Sequence, residues 1–346
     1  MVVVTFILVE LRDILVPLSL SSMIAILLNP LVNKFQRWGM TQILAIVCAI
    51  LIATIIFLGL GYFLASQIVN FGSDLPVLKE KFSALFTSMQ TGLQDHLGIS
   101  LKQQNKWLSE TQSDITPVIG KLMGNFFGIL SVGILLPIFT ILLLYYKKLI
   151  LNFLFEIFSE SNANNINEML LKTKGAIQNY MVGLLLEGII VATLNSVALL
   201  ILGVKYAILL GVIGAIVNVL PFIGGILALI FPIIIATITK DGIQTQILII
   251  AAYILIQFTD NHVLIPFIVS SKVKINALIS IIVVLLGGVL WGIAGMFLAI
   301  PFVGVLKIIF DRIEELKPWG KLLGNEIPVY HKREMLKKRL KKTTGL

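Results

Sequence analysis

Long, nearly unbroken apolar blocks dominate this chain, in place of the two-residue alternation of strands or the heptads of a coiled coil. Ile14–Val32, Ile43–Leu64, Phe126–Tyr146 and Met181–Leu202 each reach the ~20 residues that a helix needs to cross a hydrocarbon core about 30 Å thick. Pro17 and Pro137 fall inside such blocks, but neighbouring helices can satisfy the backbone groups that proline frees there. The opening run, Val2–Val9, is too short to cross. It lacks the basic start and small-residue cleavage site of a signal peptide, so it lies at the interface or belongs to a first span that begins upstream.

Between Ser66 and Gly124 the chain turns polar. Leu78, Phe82, Leu85, Phe86, Met89 and Leu93 recur there at steps of three and four, the period of an amphipathic helix. The segment is too long for a connection and too patterned for disorder, so it reads as an extramembrane helical insert. Asn162–Tyr180 carries a weaker version (Ile166, Met169, Leu170, Ile177) and predicts a surface helix leading into the next span.

The later half has a different texture. Tyr206–Thr239 is one apolar stretch interrupted by Asn218-Val-Leu-Pro-Phe-Ile-Gly-Gly225, and each flank, as a helix, extends only about 18 to 21 Å. Asn276–Phe310 is broken by Gly287-Gly288, Gly292, Gly295 and Pro301. Two broken helical hairpins or two kinked crossings fit these lengths, and discontinuous helices of this kind supply backbone groups to midplane sites in transporters. The Gly287–Gly295 stretch also suits close helix packing.

Composition agrees with the pattern. The 346 residues are 58% hydrophobic and only 13% charged, about half the charge of an ordinary soluble domain, with a mean hydropathy of +0.99. This is an integral membrane protein. Cys48 is the single cysteine, so no intramolecular disulfide forms. Lys332, Arg333, Lys337, Lys338, Arg339, Lys341 and Lys342, offset by Glu334, place +6 of the net +9 in the final segment. Beside a bilayer this reads as a cytoplasmic anchor for anionic lipids; no DNA-binding motif or aromatic platform accompanies it, so nucleic acid is not a partner.

The sequence therefore divides into first transmembrane helices (1–65), the insert (66–124), a transmembrane core with broken helices (125–312) and a basic tail (313–346). The fold class is all-α, a polytopic helical bundle. Lys34 and Arg37, Lys147 and Lys148, and the tail all belong inside by the positive-inside rule. If both broken segments are re-entrant, Gln246–Ile268 crosses and places Lys272 and Lys274 inside as well; if both cross, these lysines fall outside.

Enzyme signatures are missing: no HExxH, GxSxG or phosphate-binding GxxxxGK[ST], and no Cys/His cluster at metal spacing. Neither an enzyme nor a cofactor is expected. The chemistry rests on scarce polar groups at membrane depth: Glu187 and Asn195 within one span, Asn218 before the Pro221–Gly225 break with its paired Gly224 and Gly225, and Asp260, Asn261 and His262 before Pro266. Charged groups at the bilayer centre cost several kcal/mol and therefore face a cavity or a partner. Glu187 reads as a proton- or cation-binding carboxylate, or as an interfacial one paired with Lys172 or Lys174. Asp260 and His262 read as part of a site or as a polar helix end, and the break as a site or as a simple loop.

Four segments in order resemble one family. Ile14-Leu-Val-Pro17 through Leu28-Asn-Pro30, the Asn218 to Gly225 break, Asp260-Asn-His-Val-Leu-Ile-Pro266, and Gly287-Gly-Val-Leu-Trp-Gly-Ile-Ala-Gly-Met-Phe-Leu-Ala-Ile-Pro301 resemble the autoinducer-2 exporter (AI-2E) family of bacterial inner-membrane proteins. The likeness runs from about Leu11 to Gly320. It departs at His262, where Asn is usual, and at Phe267, where a basic residue is frequent; the chain also starts within the first span the family leads one to expect. The resemblance implies a homo-oligomeric transporter exporting the quorum-sensing signal autoinducer-2 or another small polar solute, or a Na⁺(Li⁺)/H⁺ antiporter. In that reading the solute meets the break, Asn218, Asp260, Asn261 and His262, with Glu187 as a coupling carboxylate. A non-transporting scaffold that holds partners through the insert is the remaining alternative.

Overall fold

The computed structural model describes residues 2–97, 135–157, 163–220, 224–240, 242–269 and 275–325. The expected residues of the span at 126–134, the second half of the insert, Pro221, Lys272, Lys274 and the basic cluster of the tail lie outside them. Everything described is helix and connection apart from one isolated bridge, Ile275 with Gly324. In chain order the helices are α1 (Val2–Glu10), α2 (Arg12–Arg37), α3 (Gln42–Leu97), α4 (Leu135–Tyr145), α5 (Lys147–Ile157), α6 (Ala163–Ile201), α7 (Ala207–Asn218), α8 (Gly224–Thr239), α9 (Gln244–Thr259), α10 (Ala277–Phe310) and α11 (Lys317–Leu323). A π-helical turn, Asp260–Val269, prolongs α9.

Among the described residues, five helices are long and apolar enough to cross a membrane, six if α4 and α5, bent by 62°, form one span. Large aliphatic and aromatic side chains stay exposed along them, among them Ile55, Phe57 and Leu58 of α3, which suits hydrocarbon as solvent. Helix α3 has 56 residues and passes unbroken out of its apolar part, Gln42–Val69, into the insert. The amphipathic positions from Leu78 to Leu93 thus lie on helical backbone; of their side chains nothing is described. Helix α6 likewise joins the expected surface helix and the next span in one rod of 39 residues.

The first interrupted stretch is an antiparallel hairpin. A Cβ on Gly214 would lie 3.4 Å from that of Ala228, one on Gly224 only 2.3 Å from the Val217 carbonyl, and Lys240 Nζ comes within 3.1 Å of the Cβ position of Gly203. These contacts pair base with base and tip with tip. Helix α7 has 12 residues, about 18 Å, so the hairpin ends inside the bundle. It packs against α6 on one side, where Gly211 leaves no room for a Cβ against the Ser196 backbone. On the other side lies α9, where Gln246 Nε2 donates to Thr237 Oγ1 at 3.4 Å and Gln257 abuts Gly225. Leu199, Leu210, Ala228, Ile235, Ala236, Ile249 and Tyr253 form the core that holds these four helices together.

The second stretch is also a hairpin, although its helical hydrogen bonding runs almost through. Trp291 (φ −131°, ψ 17°) and Gly292 (φ 62°, ψ −143°) leave helical geometry and reverse the chain. Without that reversal Gly287 and Gly295 would be about 12 Å apart along one helix. Instead a Cβ on Gly295 would lie 2.0 Å from the Gly287 carbonyl oxygen. At the base, Asn276 accepts from Ile279 N at 2.8 Å through Oδ1 and donates through Nδ2 to the Leu322 carbonyl at 2.7 Å. At the tip, Trp291 Nε1 donates to the Leu8 carbonyl at 2.9 Å.

The two hairpins point in opposite directions. The base of the first lies at the Ile201 end of α6, next to Gly203. The base of the second is tied to the other end of α6, where Arg312 clasps Glu168 with two hydrogen bonds of 2.8 and 2.6 Å. That end also lies towards the loop bearing Lys34 and Arg37: Lys174 of α6 is close enough to act electrostatically on Lys147, which donates to Asn29 at 2.8 Å, and Gln42 donates to the Tyr145 carbonyl at 3.1 Å.

Candidate functional site

Four elements meet at the tip of the first hairpin. Antiparallel pairing of α7 with α6 brings Gly211 to Ser196 and Gly214 to Asn195, so the run of α6 towards Glu187 passes the hairpin tip. Pairing of α8 with α9 puts Gly225 on Gln257 and hence Asn218 within reach of Asp260. Asn218 Nδ2 donates to Asp260 Oδ2 at 2.8 Å, and Gln257 Nε2 approaches the same oxygen at 3.5 Å. Asp260 is the first residue of the π-helical turn, a local irregularity that recurs at functional sites. Pro266, which has no N–H to give, lies inside that turn.

A cavity of about 660 Å³ opens here, within the range of small-molecule sites. Its wall brings together five residues singled out in the sequence: Glu187, Asn218, Gly225, Asp260 and Asn261. Glu187 is 6% and Asp260 1% exposed. Glu187 is therefore not at an exposed interface, and Lys172, one of its expected partners, pairs with Glu168 at 2.8 Å.

The other four described candidates stand apart. Asn195 is buried between α6 and α7 beside Gly214. Gly224 closes the hairpin against the Val217 carbonyl without reaching the cavity wall. His262 faces away: its ring stacks on Phe258 with centroids 4.2 Å apart, and Nδ1 donates to the Phe258 carbonyl at 3.0 Å. Pro266 shapes the π turn and lies outside the wall.

Sequence reading missed Tyr180, Tyr253, Gln257 and Ser280, all of which line the cavity. A signal was available for most of them. Tyr253, Gln257 and Asp260 are spaced by four and three residues, one face of a helix, as are Tyr180, Leu184 and Glu187. Ser280 comes from the base of the second hairpin, together with Pro301 and Gly304. Its place follows from tertiary pairing that no local pattern records.

Comparison with known proteins points one way. The family described as AI-2E family transporter matches residues 1–315. The chain is similar to YrrI of Bacillus subtilis, 22% identical over 86% of each chain. It is similar to the AI-2 transport protein TqsA of Escherichia coli, 25% identical over 87% of this chain and 86% of that one. YhhT of Escherichia coli is 22% identical over 90% of this chain and 88% of its own.

Proposed function

This chain belongs to the AI-2E transporter family, and from that premise we propose that it exports a small polar solute across the bacterial inner membrane by alternating access around the cavity at the first hairpin. The observation that carries the reading is the meeting of a broken helix, two buried carboxylates and a solute-sized cavity at one depth of the bundle. In transporters, half-helix ends at such a depth supply the polar groups that replace a solute's water.

Orientation supports the export direction. Placing Lys34, Arg37, Lys147 and Lys148 in the cytoplasm puts the Glu168 end of α6 and the base of the second hairpin there too. The cavity wall includes Ala176, Ile177, Asn179 and Tyr180 from that half of α6 and Ile275 from the hairpin base, which supports loading from the cytoplasm. Outward release requires the first hairpin to part from α9, breaking the Asn218–Asp260 contact. Autoinducer-2 is the first solute to test, because TqsA is named for its transport. The basic tail would hold anionic lipids, and the exposed apolar helix faces suit lipid and a homo-oligomer.

The test is efflux of labelled autoinducer-2 from proteoliposomes. Release above protein-free vesicles that falls several-fold in Asn218→Ala supports the reading; release equal to protein-free vesicles for this and other small polar solutes contradicts it. A second reading, monovalent cation/proton antiport, is favoured by Glu187 and Asp260 sharing the cavity. It expects Na⁺ or Li⁺ to collapse a pH gradient in everted vesicles, and Glu187→Gln to abolish the response.

A further inference from the structure

Two buried polar atoms of the cavity wall have no hydrogen-bond partner among the described residues: Asp260 Oδ1 and the Tyr253 hydroxyl. Their residues are only 1% and 6% exposed, and a buried polar group left unmet is costly. Asp260 Oδ2 is engaged by Asn218 and Gln257, which fixes the carboxylate and leaves Oδ1 as its open acceptor. An ionised carboxylate accepts and does not donate. In its ionised form, then, Asp260 Oδ1 calls for a donor.

The charge of the wall narrows the class further. Its ionisable acids are Glu187 and Asp260, and no Lys, Arg or His side chain lines it among the described residues. Lys172 and Arg312, on the same half of the bundle, are held by Glu168. A solute carrying carboxylate or phosphate would meet two acidic side chains and no cation on this wall. A hydroxyl or an ammonium would meet Asp260 Oδ1 and, on the same wall, the Tyr253 hydroxyl, which both donates and accepts.

Resting on the solute-carrier reading above, we infer that this cavity selects solutes that bear no negative charge and present a hydroxyl or ammonium donor to Asp260 Oδ1. Glu187 sets the sign of the field, and Asp260 with Tyr253 provides the docking point. Asn218 is a positioning residue, since it orients the carboxylate from the hairpin tip.

Three probes on one five-carbon frame test this: xylitol, 1-amino-1-deoxyxylitol and xylonate, titrated against the full chain in nanodiscs. Xylitol, the amine or both bind, and xylonate binds at least about tenfold more weakly than the better of them. Xylitol alone identifies a neutral polyol as the ligand class, the amine alone an organic cation. Asp260→Asn weakens the better probe about tenfold and narrows its margin over xylonate; Glu187→Gln narrows the margin with Asp260 intact. Xylonate binding as tightly as the others, no probe binding at all, or a margin unchanged in both variants overturns the inference. Flux is read separately in proteoliposomes. Charge-selective binding without flux of any solute overturns the carrier reading alone, and flux of xylonate at the rate of xylitol overturns the charge preference alone.

Discussion

Gly224 and Asn218 show how single residues build the site. A Cβ on Gly224 would press 2.3 Å from the Val217 carbonyl and 2.6 Å from the Asn218 Cα. Both are backbone atoms that cannot swing aside. Gly224→Ala therefore opens the tip and should lower stability by about 1–3 kcal/mol, as overpacking does, read as a lower melting temperature in detergent. Gly188→Ala, with nothing within 4 Å of its Cβ position, is the matched control and should change stability by no more than ~0.5 kcal/mol. Asn218→Leu removes the donor to a carboxylate that is 1% exposed. It should cost about 1–3 kcal/mol and leave Asn218→Asp no better, because that change sets two carboxylates face to face. Several of these residues stand out in the sequence because polar groups are rare at membrane depth. Asn195 and His262 stand out for the same reason, yet one serves helix packing and the other stacks on Phe258. Rarity marks a cost that something must offset; it does not say whether a cavity or a neighbour offsets it.

At the scale of elements, the hairpins carry the account. Lengths alone show that neither flank of the Asn218–Gly225 break spans the bilayer, and the structure resolves the choice between a hairpin and a kinked crossing through contacts. Gly214 meets Ala228, and Gly287 meets Gly295. The second reversal is harder to read in advance, since Trp291 and Gly292 interrupt a run whose composition is otherwise that of one long span. The first hairpin should move as a rigid unit, because α7 and α8 meet closely at the tip, where Gly224 abuts the Val217 carbonyl, and again where Gly214 faces Ala228. In a chain with Cys48→Ser, a disulfide between Gly214→Cys and Ala228→Cys should leave most transport intact. One between Gly225→Cys and Gln257→Cys, which ties the tip to α9, should abolish it, and reduction should restore it. Loss of transport with the first pair, or survival with the second, would mean that the hairpin does not part from α9.

For the whole molecule, oppositely directed hairpins place the cavity between the tip of one and the base of the other. The clasp of Arg312 on Glu168 fastens the second hairpin to α6 but is largely open to solvent, where ion pairs contribute roughly 0–1 kcal/mol. Glu168→Gln should therefore lower the melting temperature only slightly while raising the reactivity of a cysteine at Ile313. The membrane class follows from apolar run lengths alone, but the number of spans does not, since the run Ala277–Phe310 is long enough to cross and yet folds back at Trp291 and Gly292. Nor does the site follow from them, because it is assembled by antiparallel pairings across the fold, and those leave only small residues such as Gly211 and Gly225 as their trace in the sequence.

Sidedness of the hairpin bases tests the central claim most directly. In right-side-out vesicles bearing single cysteines in a Cys48→Ser background, an impermeant maleimide should label Lys205→Cys and Gly242→Cys from the outer face. Ile275→Cys and Ile313→Cys should react only after the inner face is exposed. Both members of each pair flank one interrupted segment, so each pair must fall on one side. Labelling of Lys205→Cys and Gly242→Cys from opposite faces would mean that the first segment crosses the membrane, and would contradict the account.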